Sequence, residues 1–97
     1  MGKAITRLGD LGSGHDSFPP RPSISASGNV YVNGIAVHRE GDSWAIHCSP
    51  APSCHGGSLL SGSSSVYVNG LQCGRIGDPI SCGSIVAVGS SNVFAGG

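Results

Sequence analysis

Three near-copies of one short stretch constrain this chain more than any other feature. They are Ser27-Gly28-Asn29-Val30-Tyr31-Val32-Asn33-Gly34, Ser63-Ser64-Ser65-Val66-Tyr67-Val68-Asn69-Gly70 and Ser90-Ser91-Asn92-Val93-Phe94-Ala95-Gly96-Gly97. Each opens on small polar residues, alternates β-branched and aromatic or small apolar side chains, and closes on a turn dipeptide, which is the pattern of a strand running into a tight reversal. A second marker, Arg-x-Gly-Asp, precedes each copy: Arg7-Leu8-Gly9-Asp10, Arg39-Glu40-Gly41-Asp42 and Arg75-Ile76-Gly77-Asp78. From the Asp to the first Val of the strand the separations are 20, 24 and 15 residues. The frame is constant and the loops vary, as in repeat architectures. The chain therefore reads as one domain, residues 1–97, in three units of roughly 3–34, 35–70 and 71–97.

Composition narrows the class. With 17 Gly and 6 Pro, and Ser as frequent as Gly, the chain has the look of a low-complexity segment. The threefold pattern argues otherwise, and so does the charge: 10% charged residues with zero net charge, where disordered chains are usually highly charged. Short alternating strands and no helical period over three turns give an all-β fold. Five basic residues scattered among five acidic ones offer no electrostatic footprint for nucleic acid. No apolar run approaches the length of a membrane span and no signal peptide is evident, so neither stable membrane insertion nor the general secretory route is expected. Only 5% of residues are aromatic, so the core must be thin and a staple is expected to matter.

Along the chain, Ala4 and Ile5 are candidates for a first strand, residues 12–16 read as a loop, and Phe18-Pro19-Pro20-Arg21-Pro22 must be extended. Ile35 to Arg39 and Leu71 to Arg75 read as the returning strands of hairpins. Ser43 to Ser58 reads as a long middle loop, and Pro79 to Gly83 as the shortest one.

The four His and four Cys are sorted by laying the units on their Asp markers. His15 follows Asp10 by five residues, His47 follows Asp42 by five, and Cys82 follows Asp78 by four. If the units surround a pseudo-threefold axis, these side chains converge on it, and His55, ahead of Gly56-Gly57, is the natural fourth. Three imidazoles and one thiolate suit a closed tetrahedral Zn²⁺ site with no position left for water or substrate. Cys48 and Cys54 flank this set and remain competing ligands. Two disulfides, in any of three connectivities, are the alternative use of four Cys in an oxidising compartment. His38 and Cys73 follow the Asn-Gly turns, where strand packing is the expected role. Asp10, Asp42 and Asp78, each following a Gly, are expected to cap turns by accepting backbone N–H groups, and not to act in acid–base chemistry.

These residues, over essentially all of 3–97, resemble the PAAR-repeat proteins, the small tips of bacterial type VI secretion spikes. At the positions of the Pro-Ala-Ala-Arg motif this chain reads Ala36-Val37-His38-Arg39 and Gln72-Cys73-Gly74-Arg75, keeping the Arg in both. The resemblance implies a cone whose base sits on the blunt end of the trimeric VgrG spike, and a structural zinc near the vertex held by His15, His47, His55 and Cys82. It implies a non-enzymatic protein, made in the bacterial cytoplasm and carried out by the contractile machine, that sharpens the spike for envelope puncture and can carry effector cargo. Two alternatives remain: the tip of a contractile phage-tail spike, and a disulfide-stapled secreted β binding domain. An enzyme would need an open metal position.

Overall fold

The computed structural model describes residues 2–51 and 53–97. Ten strands follow in chain order: β1 (Lys3–Ala4), β2 (Leu11–Gly12), β3 (Arg21–Pro22), β4 (Tyr31–Val32), β5 (Ile35–Ala36), β6 (Ser43–Ser49), β7 (Ser53–Ser58), β8 (Tyr67–Val68), β9 (Leu71–Gln72) and β10 (Phe94–Ala95). They pair antiparallel as β1–β10, β2–β3, β4–β5, β6–β7 and β8–β9. No helix forms among the described residues, and the extents are 39 × 26 × 22 Å.

Three of the pairs are copies of one another. Tyr31 faces Ala36, Tyr67 faces Gln72 and Phe94 faces Ala4. In the first two hairpins Asn33 and Asn69 adopt φ of 56°, the left-handed conformation that an Asn-Gly turn demands. The third hairpin is assembled from the two ends of the chain, with Gly97 at φ 88° standing where Gly34 and Gly70 stand. No turn signal could announce that pairing.

From each hairpin the chain enters a three-sided collar. The amide of Thr6 donates to Gly74 O (3.0 Å), that of Gly74 to His38 O (3.0 Å) and that of His38 to Thr6 O (3.1 Å), a closed ring of backbone bonds. Gly is required at position 74, since a Cβ there would sit 2.9 Å from both Leu59 Cδ2 and Thr6 Cγ2. The Arg-x-Gly-Asp markers follow the ring. In each, the Asp Oδ2 accepts from the backbone amide and the Nε of its own Arg, at 2.8 and 2.8 Å for Arg7, 2.9 and 2.9 Å for Arg39, 2.8 and 3.1 Å for Arg75. The capping role expected of the Asp residues is present, together with a fork-like ion pair to the Arg.

The same threefold order fixes the turns. Arg7 Nη1 donates to Asn33 Oδ1 (3.2 Å), Arg39 Nη1 to Asn69 Oδ1 (3.0 Å) and Arg75 Nη1 to Gly96 O (3.0 Å). Ser90 and Ser27 donate to the same Asn33 and Asn69 oxygens at 2.6 Å, and Ser63 donates to Gly96 O. In the third unit a backbone carbonyl thus does the work of the Asn side chain. No buried side-chain nitrogen or oxygen among the described residues lacks a partner.

Two small cores lie along the axis. The first joins Ile5, Val37, Val68, Cys73 and Ala95, with Val30, Val32, Val66 and Val93 packed against it, so that equivalent hairpin positions contribute in threes. The second joins Trp44, Leu59, Ile80 and Val86, with Cys82 against it. His38, 0% exposed, packs against Trp44 with ring centroids 3.9 Å apart and tilted by 39°, is bonded through Nδ1 to Ser23 Oγ (2.6 Å) and donates from Nε2 to Asp42 O (3.1 Å). His38 and Cys73 are packing residues, as their place in the returning strands implied. Burial lowers the pKa of His38 to about 4 and raises that of Cys73 to about 11.

Candidate metal centre

The stretch expected to be a loop, Ser43 to Ser58, is a hairpin of the two longest strands. A bulge accounts for the misreading. Trp44 pairs with Gly57 but His47 pairs with His55, so one extra residue is inserted between them. That insertion lets Trp44 and His47, three apart, both face inward while Ile46 faces water, which erases the two-residue alternation a strand normally shows. The bulge also carries His47 past the second core, opposite His55 on the facing strand.

His15 is presented by a tight turn in which its amide donates to Phe18 O (3.0 Å) and the Phe18 amide donates to His15 O (2.8 Å), with Asp16 at φ 51°. Gly14 is needed beside it, since a Cβ there would collide with Phe18 O. Cys82 sits in the loop closed by Gly83 N to Ile80 O (3.0 Å), and this loop is bonded to β7 through Ser81 N to Ser58 O (2.9 Å) and Ser58 N to Ser81 Oγ (3.0 Å). Gly57 admits the thiol, because a Cβ at that position would lie 3.0 Å from Cys82 Sγ and 2.8 Å from Ile80.

The outcome is that His15, His47, His55 and Cys82 place one donor atom each within 4.8 Å of one another, near one end of the molecule. The His55 Nε2 lies 2.9 Å from His15 Nε2 and 2.7 Å from His47 Nε2. Around a tetrahedral zinc with ordinary bond lengths, neighbouring donors stand about 3.3 to 3.6 Å apart, so an ion requires the two close imidazole pairs to part by about half an ångström and the widest pair, up to 4.8 Å, to close by about one. Tautomer chemistry fits as well. His47 Nδ1 donates to Pro19 O (2.8 Å), which leaves the Nε2 lone pair directed at the cluster. Withdrawal from water, then the neighbouring His47 and His15, lower the pKa of His55 and favour the neutral, ligating form.

Phe18 is the member of this site that sequence reasoning missed. Its ring packs on all three imidazoles, with centroids 4.9 Å from His15, 5.0 Å from His47 and 4.3 Å from His55. The available signal was an aromatic residue three positions after a candidate ligand and directly before two prolines.

Cys48 and Cys54, held open as competing ligands, are joined to each other in a disulfide one rung beyond the His47–His55 pair, and Cys73 and Cys82 are free thiols. Of the alternative use of the four Cys in two disulfides, one bond forms, and Cys48 and Cys54 stand outside the donor cluster. Alternation explains it: with His47 and His55 facing in, their strand neighbours face out.

A family model described as the PAAR motif matches residues 13–88. No curated protein matches the chain. The matched span covers most of the 97 residues and contains all four clustered donors, and on that basis this chain belongs to the PAAR-motif family.

Proposed function

We propose that residues 1–97 act as one unit, a conical tip that caps the trimeric VgrG spike of a type VI secretion system, with His15, His47, His55 and Cys82 binding a structural zinc near the vertex. The observation that carries this reading is the contrast between the two ends. At the hairpin end Tyr31, Tyr67 and Phe94, equivalent positions of the three copies, are 58%, 56% and 56% exposed, and Ile35 and Leu71 are exposed beside them. One chain thereby offers an apolar surface in triplicate, which suits a partner with a true threefold axis. At the other end the donor set is chemically complete for zinc.

A bound zinc would supply cross-linking of loops that come from three different units. The chain's own residues do the rest: Pro19 O orients His47, Phe18 keeps water from the imidazoles, and Gly57 lets Cys82 approach. Three nitrogens and a sulfur leave no open position for substrate, so the unit works without turnover. It is made in the cytoplasm, exported by the contractile machine, and can carry an effector. No helix among the described residues is long and apolar enough to cross a membrane.

The test is co-purification with a VgrG trimer. One chain per trimer is expected, and Tyr31→Asp combined with Tyr67→Asp should abolish the complex while leaving the metal content unchanged. Failure of the unaltered chain to co-purify, or persistence of the complex in the double variant, overturns the docking reading. Metal analysis of protein purified without added zinc should return one zinc per chain.

A further inference from the structure

The Cys48–Cys54 disulfide is used by neither role proposed above, yet it lies next to the site. Two of the four clustered donors, His47 and His55, face each other across β6 and β7, and the disulfide joins the next rung of the same ladder. Beyond it, among the described residues, one further pair follows, Ser49 with Ser53. A two-stranded ladder holds its register poorly by itself, and the Cys82 loop steadies only the far end of β7, through Ser81 N to Ser58 O (2.9 Å) and Ser58 N to Ser81 Oγ (3.0 Å). Both cysteines are exposed, so the bond is within reach of a soluble reductant.

We propose that this disulfide is a redox-controlled brace on the metal site. Oxidised, it holds the tip of the hairpin closed and keeps the two imidazoles facing each other across the ladder; reduced, it frees the hairpin end and the ion is held more weakly. The inference rests on the reading of the four clustered side chains as metal ligands. A dithiol reductant opens the brace: one of its thiolates attacks a cystine sulfur, the Sγ–Sγ bond breaks, and its second thiol resolves the mixed disulfide. Two electrons and two protons pass to the protein, Cys48 and Cys54 become thiols, and the reductant leaves as its own disulfide. The released thiols stand on the outer face of the hairpin, away from the ion, and supply no replacement donor. A reducing compartment therefore loosens the vertex and an oxidising one tightens it.

The experiment is cobalt(II) titration, against a competing chelator, of metal-free protein in three forms: oxidised, reduced with a dithiol that is then removed without air, and Cys48→Ser/Cys54→Ser. The oxidised form should show the tetrahedral absorption and thiolate charge-transfer band of a three-nitrogen, one-sulfur site. The reduced form and the double variant should show the same bands with dissociation constants about tenfold weaker. Re-oxidation should restore the tighter constant, which covers the case of a variant that fails to fold. Equal constants in oxidised and reduced protein overturn the brace while leaving the metal site standing. Absence of the bands in the oxidised form overturns the metal reading and the brace with it.

Discussion

The hairpin end and the metal end of this molecule are held together in opposite ways. At the hairpin end everything occurs in threes: three Arg–Asp forks, three Ser-capped strands, three turn acceptors and apolar triads such as Ile5, Val37 and Cys73. Loss of one member leaves two copies and a closed ring. At the metal end the three loops share a donor position and little else. Units one and three each supply one donor and unit two supplies a pair, above a core of four buried residues. Redundancy of weak bonds can stand without a ligand; a constellation of single residues has more to gain from an ion or a covalent link.

Removing the ion is the largest test of that contrast. A chelator, or His47→Ala, should cost upwards of about 4 kcal/mol, the linkage expected when free metal exceeds its dissociation constant a thousandfold. Hydrogen exchange should accelerate at residues 15, 47, 55 and 82 while the collar amides of Thr6, His38 and Gly74 stay protected. Acceleration spread evenly over both ends would break the comparison.

Next in size is Arg75→Ala. The Arg75 and Asp78 side chains are 7% and 6% exposed, and stranding the buried carboxylate should cost about 3 to 4 kcal/mol in urea unfolding. Arg7→Ala, at the 14% and 11% exposed pair, should cost somewhat less, about 2 to 3 kcal/mol. Equal costs would show that the three forks are not graded by burial.

Acid tests the layer between the two ends. His38 has its pKa lowered by burial from 6.5 to about 4, so the unfolded chain takes up its proton first. The stability this gives is fully present above pH 6.5 and is lost as pH falls from 6.5 to about 4, on the order of 3 kcal/mol in all. Urea unfolding of chelator-treated protein should show that slope, and His38→Thr, which copies Thr6 at the equivalent position, should flatten it. A slope unchanged in the variant would assign the acid sensitivity elsewhere. The smallest effect is expected at the turns, where Asn33→Ala, forced to φ near 56°, should cost about 1 kcal/mol by thermal unfolding, with metal content unaltered.

What could be read from the sequence follows the same division. The hairpin end was legible because its chemistry is local and written three times: an Asn-Gly dipeptide specifies its own turn, and a Gly-Asp marker its own cap. The clustered donors were found because loop positions could be counted from those markers. Besides Phe18, three features escaped. The β6–β7 hairpin was hidden by a bulge that breaks its alternation, the β1–β10 pair joins residues at opposite ends of the chain, and the Cys48–Cys54 link was one of several pairings that composition allows. Each depends on which segments meet in space, which local pattern does not record. The Arg–Asp forks were half seen, with the Asp assigned to the turn and its Arg left without a partner.

The collar at Thr6, His38 and Gly74 has a mechanical consequence. Three segments that each donate to one neighbour and accept from the other form a loop of backbone bonds with no first or last member. A pull on any one of the three segments is then passed to the other two through backbone bonds, so the collar ties the three units together without help from a side chain.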